Sequence, residues 1–89
     1  MKETSRKLIS KYGEEQELKK VLEEMNELAS EIYRDMNHGE VNRMKILEER
    51  VDVELMLNML DEIYYFHDKD IKGMWEIKKK KINKKYLEG

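Results

Sequence analysis

Four acidic residues stand in two pairs at helical spacing: Glu24 and Glu27 within Glu23-Glu24-Met25-Asn26-Glu27, and Glu49 and Asp52 within Glu49-Arg50-Val51-Asp52. Residues three apart on a helix share a face, so each pair presents two carboxylates in one direction. The second pair also opens an apolar seam, because Glu49, Asp52, Met56, Met59 and Ile63 follow one another in steps of three, four, three and four. An unpaired carboxylate buried in such a seam costs on the order of several kcal/mol, so it is paired with a cation or placed on a metal. Four carboxylates at one point must protonate or take up a cation, and all-oxygen ligation selects Mg²⁺ or Mn²⁺ over zinc or copper. The chemistry these residues point to is divalent-metal binding by Glu24, Glu27, Glu49 and Asp52.

The elements that must position these pairs are helices. The chain has 89 residues with no Pro and four Gly, in a Lys-, Glu-, Leu- and Met-rich composition. That composition favours helix and leaves little material for turns or sheet. A lead segment over 1–13, capped by Thr4 or Ser5, is expected to end at Tyr12-Gly13. A long helix over 14–36 carries Leu18, Val21, Leu22, Met25, Leu28, Ala29, Ile32, Tyr33 and Met36 as one apolar stripe. Asn37-His38-Gly39 should break it, and a second long helix runs over 42–66. Asp68 or Asp70 then caps a Lys-rich helix over 70–87. The predicted fold is a single-domain, all-α antiparallel bundle. The connection at 37–41 is short, so the two long helices pack antiparallel, and each acidic pair lies about ten residues from the turn, level with the other. Glu27 lies off the apolar stripe, so its role requires its helix to pack on a second side as well.

A second apolar row, Ile46, Val53, Leu57, Leu60 and Tyr64, runs beside the Glu49-to-Ile63 seam. A helix apolar on so much of its circumference needs several neighbours, more than one chain this short supplies. We expect a homo-oligomer, dimer or tetramer. A domain of this size buries only about 60% of its unfolded surface, so association would also stabilise it.

The net charge of −2 hides an asymmetry. Residues 14–62 hold fifteen acids against six bases, whereas 69–89 hold eight Lys against three acids. Lysines near a carboxylate metal site suit phosphate binding, although a solvated Lys-rich helix is the commoner meaning of such a run. With no Cys there is neither disulfide nor thiolate site. The amino-terminal Met-Lys-Glu-Thr-Ser-Arg lacks the apolar core of a signal peptide, and no run approaches membrane-spanning length. A cytoplasmic protein with no membrane partner is expected. His38 and His67 fall at helix breaks, and neither completes the Glu-x-x-His spacing of a di-iron bundle. Trp75 reads as an interface residue before a base-stacking one, and the Met and Tyr residues as core and interface filler.

At the two acidic pairs the chain resembles a known family. Glu-Glu-x-x-Glu at 23–27, followed after twenty-one residues by Glu-x-x-Asp at 49–52, is similar to the signature of the MazG-like all-α nucleotide pyrophosphohydrolases. Asn83-Lys84-Lys85-Tyr86 resembles the family's Asn-x-Lys-aromatic segment, and Tyr12-Gly13-Glu14-Glu15-Gln16 the entry of its short, stand-alone, phage-type versions. The likeness covers about residues 12–86. It implies Mg²⁺-dependent hydrolysis of a nucleoside triphosphate between the α and β phosphates, giving monophosphate and pyrophosphate, in nucleotide-pool sanitation or balance. On that reading Glu24, Glu27, Glu49 and Asp52 hold the metal. Glu23 orients the attacking water, unless it is merely solvated. Lys81, Asn83 and Lys85 contact phosphates, and Gln16 and Lys20 line the nucleotide pocket. Lys78, Lys79 and Lys80 remain surface. The short segment at 37–41 lacks the elaborations of larger relatives and leaves substrate choice open.

The main rival is a non-catalytic oligomeric helical interaction module. It accounts for the two-sided apolar helix but leaves Glu49 and Asp52 on the seam unexplained, unless Arg43 or Arg50 neutralises them. Nucleic-acid binding through Lys78 to Lys81 is disfavoured by the acidic majority of the chain.

Overall fold

In a computed structural model, which describes residues 1–38 and 43–88, the chain is all-helical, with no strand among the described residues. Helix α1 spans Lys2–Tyr12, α2 Glu14–His38, α3 Arg43–Tyr64 and α4 Asp68–Ile82, and a π-helical turn over Asn83–Leu87 follows α4. The Gly39-to-Val41 part of the expected connection lies outside the described residues, whereas Asn37 and His38 belong to α2. Both long helices are found as expected, with ends displaced by a residue or two.

The breaks follow from local chemistry. Gly13, at φ 89°, ends α1 in a conformation that costs glycine little, and its N–H donates to the Ile9 carbonyl at 2.8 Å. Three acids, Glu14, Glu15 and Glu17, then occupy the first turn of α2, where they complement the helix dipole. At the end of α3, Tyr65 takes the left-handed conformation (φ 58°) and the Phe66 N–H reaches back to the Asp61 carbonyl at 2.9 Å, a Schellman closure. The cap of α4 is His67, not Asp68 or Asp70. Asp70 lies three residues on, and its carboxylate accepts from the His67 N–H at 2.8 Å. Thr4 and Ser5 are likewise not caps. Met1 precedes α1, and Ser5 is a fully buried helix residue whose hydroxyl donates to Asn58 Oδ1 at 2.8 Å. That bond, with the Arg6–Glu62 ion pair at 2.9 Å, fastens α1 to α3.

Helices α2 and α3 form the antiparallel hairpin, and α1 lies against both. The core is small: Val21, Met56, Met59 and Ile63 are buried, flanked by Leu8, Ile9, Leu18, Met25, Leu55 and Leu60. The seam of α3 is buried as its spacing predicts, including Glu49. On α2 the face turned inward differs from the expected stripe. Glu17, Val21 and Glu24 are buried, with Leu28, Glu31 and Asp35 half-buried, in steps of four, three, four, three and four. Four of those six are acids. The apolar stripe lies one residue further round the helix, and Leu22, Ile32, Tyr33 and Met36 remain exposed, as do Leu57 and Tyr64 of α3. By helical spacing these residues share the flank of the hairpin opposite α1.

Beyond its first turn, which borders a groove with α1 and α3, helix α4 packs among the described residues only on the π-helical turn that follows it, and none of its residues is buried. The radius of gyration is accordingly 16.1 Å, against about 12 Å for a compact domain of this length.

Beside the root of α4, burial and then the charges of Asp68 and Glu62 raise the Asp61 carboxyl above the usual range. Lys2, Arg6, His67 and Lys69 line the same groove. A carboxyl raised in the folded state contributes stability below its ordinary range and loses it as pH rises through the raised value. Asp61→Asn should therefore raise the melting temperature at neutral pH and flatten the gain the native chain shows on mild acidification; scanning calorimetry from pH 4 to 7.5 reads both.

Candidate metal centre

The facing of α2 and α3 brings Glu24, Glu49 and Asp52 together, with one oxygen from each lying within 4.8 Å of the others. Glu24 and Glu49 are buried, at 7% and 3% exposure, and Asp52 is half-buried. Each buried carboxylate is half satisfied. Glu24 Oε1 lies 3.2 Å from Lys20 Nζ and Glu49 Oε1 lies 3.1 Å from Lys45 Nζ, both at i,i+4 spacing. The second oxygens, Glu24 Oε2 and Glu49 Oε2, are buried without a hydrogen-bond partner. An orphaned anionic oxygen in the interior costs on the order of several kcal/mol, and two carboxylates that each carry one, converging with a third, form a hard-cation donor set. The three carboxylates could hold a hard metal ion.

The charge balance is thus carried by lysines. Arg43 is exposed and Arg50 pairs with Glu54 at 3.3 Å, so neither arginine neutralises the seam. Hydrogen bonding to Glu24 raises Lys20 above its usual range, and hydrogen bonding to Glu49 raises Lys45, helped by the charge of Glu48. Both ammonium groups sit at the edge of the site on flexible stems.

Glu27 stands outside the close triad. It is exposed at the rim, and the charge of Glu24, then that of Glu49, raises its carboxyl above the ordinary range. It lines a hollow of about 380 Å³ with Arg34, Lys45 and Glu49. Glu23 is also exposed, 3.5 Å from Lys20 Nζ, on the other side of the triad.

A larger cavity, about 700 Å³, opens between α1, α2 and α3 directly beside the carboxylates. Gln16, Lys20 and Glu23 line it together with Glu24 and Asp52. Lys81, Asn83 and Lys85 are not brought there: they lie on the last turn of α4 and the π-helical turn after it, which touch none of α1 to α3. Three residues of consequence escape a reading by motif. Lys45 and Glu17 are signalled only by helical spacing to Glu49 and Glu24. Asp35, whose Oδ1 is buried without a hydrogen-bond partner, has no such neighbour in the motif. No known family, characterised protein or solved structure matches this chain.

Proposed function

We propose that the protein is a Mg²⁺-dependent nucleoside triphosphate pyrophosphohydrolase, giving nucleoside monophosphate and pyrophosphate, that acts as a homo-oligomer. The observation that carries this reading is the convergence of the Glu24, Glu49 and Asp52 carboxylates, two of them buried and each with one partnerless oxygen, beside a nucleotide-sized cavity. The likeness of residues 23–27 and 49–52 to the MazG-like signature supplies the reaction. Glu24, Glu49 and Asp52 would hold the ion, with Glu27 joining from the rim. Bound there, Mg²⁺ would neutralise phosphate charge and acidify a water.

The chain's own residues do the rest. Lys20 and Lys45 balance the carboxylates, and each can turn outward to a phosphate as a mobile point charge. Glu23, exposed beside Lys20 and lining the cavity, would accept a proton from the attacking water. Lys81, Asn83 and Lys85 enter only if α4 of one copy lies across another. The open apolar flank of α2 and α3 and the unburied α4 support such an assembly. In equilibrium sedimentation we expect a dimer or larger species at micromolar concentration, dissociated by the double substitution Ile32→Glu and Leu57→Glu. A monomer throughout would remove the oligomer from the reading.

The test of function is incubation of pure protein with Mg²⁺ and a panel of nucleoside triphosphates, resolving monophosphate plus pyrophosphate from diphosphate plus phosphate. The same exposed flank favours one other reading, a non-catalytic interaction module. Silence across the panel together with a melting temperature indifferent to Mg²⁺ would select it.

A further inference from the structure

Glu17 is buried, at 5% exposure, yet it makes no hydrogen bond or ion pair with any described residue and is not one of the converging carboxylates. The lysines nearest it in sequence are engaged elsewhere, Lys19 with Glu15 at 3.7 Å and Lys20 with Glu23 and Glu24. Its oxygens are not sealed in, because Glu17 lines the cavity of about 700 Å³ beside the metal centre. Leu8 and Tyr12 of α1 and Leu55 and Met56 of α3 give the cavity an apolar wall, while Gln16, Lys19 and Lys20 of α2 line it on the polar side. A carboxylate lining such a slot with no protein donor leaves two acceptor oxygens that water fills in the empty cavity and that a ligand bearing N–H donors could take over.

The shape of the slot narrows the ligand. Glu17 precedes Glu24 by seven residues on one face of α2, roughly 10 Å along the axis, which is the kind of separation that divides a nucleotide's phosphates from the edge of its base. An apolar wall suits a flat ring, and the two carboxylate oxygens call for two parallel N–H donors. Among the common bases, guanine alone offers that pair, N1–H beside the 2-amino group. Adenine and cytosine set a ring nitrogen acceptor beside their amino group, and uracil and thymine flank their single N–H with carbonyls; each would face one carboxylate oxygen with a lone pair.

We propose that this cavity is a guanine-binding slot read by Glu17, an assignment that rests on the carboxylate triad being the phosphate end of a nucleotide site. The test compares GTP with inosine triphosphate, which lacks only the 2-amino group, using the full chain with Mg²⁺, and titrates GMP against IMP by calorimetry. The expected result is a preference for the guanine member of about tenfold or more in both assays. In Glu17→Gln, checked for folding by circular dichroism, that ratio should fall to near one. Equal handling of GTP and inosine triphosphate by the native chain, or a ratio unchanged in Glu17→Gln, overturns the slot while leaving the hydrolase standing. Selective GMP binding without hydrolysis of any triphosphate supports the slot and overturns the hydrolase. Absence of selectivity in both assays overturns the slot outright.

Discussion

Glu49→Gln is expected to lower Mg²⁺-dependent release of pyrophosphate by a factor of about a hundred or more, since charge stabilisation by a correctly held ion contributes on the order of 3 kcal/mol or more to such a reaction. Glu49 is the most buried of the converging acids and, like Glu24, carries a partnerless oxygen. The amide keeps the shape and loses the anionic donor. Stability separates a metal role from a structural one. Without divalent ions the variant removes the repulsion of Glu49 against Glu24, Glu27 and Asp52, so its melting temperature should match or exceed that of the native chain. The native protein should gain stability on addition of Mg²⁺, because an ion that binds only the folded state stabilises it by mass action, and the variant should lose that gain. A variant that melts lower in the absence of metal and still responds to Mg²⁺ would show that Glu49 matters through its contact with Lys45 instead.

Met59→Ala should be the most destabilising single truncation. Met59 is the large side chain with no exposed surface, at the centre of a core of four buried apolar residues. Leaving a cavity at such a site costs about 2–5 kcal/mol, which in a domain of this size lowers the melting temperature by roughly 10–30 °C. Denaturant unfolding followed by circular dichroism measures it. Leu22→Ala is the informative control. Leu22 is 64% exposed, so in an isolated subunit its truncation should cost within about 0.5 kcal/mol. If the flank it occupies is covered by a second copy, the cost grows with protein concentration.

How much was legible beforehand depends on whether a feature is written in local spacing. Glu24, Glu49 and Asp52 could be placed together because three-residue steps and equal distances from a turn are properties of one hairpin. Lys20 and Lys45 are equally local, each four residues before its carboxylate, although the neutralising cations expected on the seam were Arg43 and Arg50. Glu17 reads in isolation as one more acid in a first turn, and only its seven-residue offset from Glu24 marks it as facing inward. Ser5 was beyond reach, since its partner Asn58 lies 53 positions away and a serine near a helix start is ordinarily a cap. The inward face of α2 was misjudged by one residue for a physical reason. A stripe of Leu, Met and Ile identifies an apolar face without saying what covers it: Leu18, Val21 and Met25 reach the core, while Leu22, Ile32, Tyr33 and Met36 are left open and acids take the inward places beside them.

Helix α4 has a consequence for how the molecule would be observed. A segment of fifteen residues that meets the other described helices only at its first turn depends on its own propensity, and isolated helices of that length are marginal in water. Its amide protons should exchange with solvent far sooner than those of Val21 or Met59, unless another molecule lies along Ile71, Met74 and Trp75. Protection of the last quarter of the chain would then rise with protein concentration, so that its exchange rate serves as a gauge of assembly.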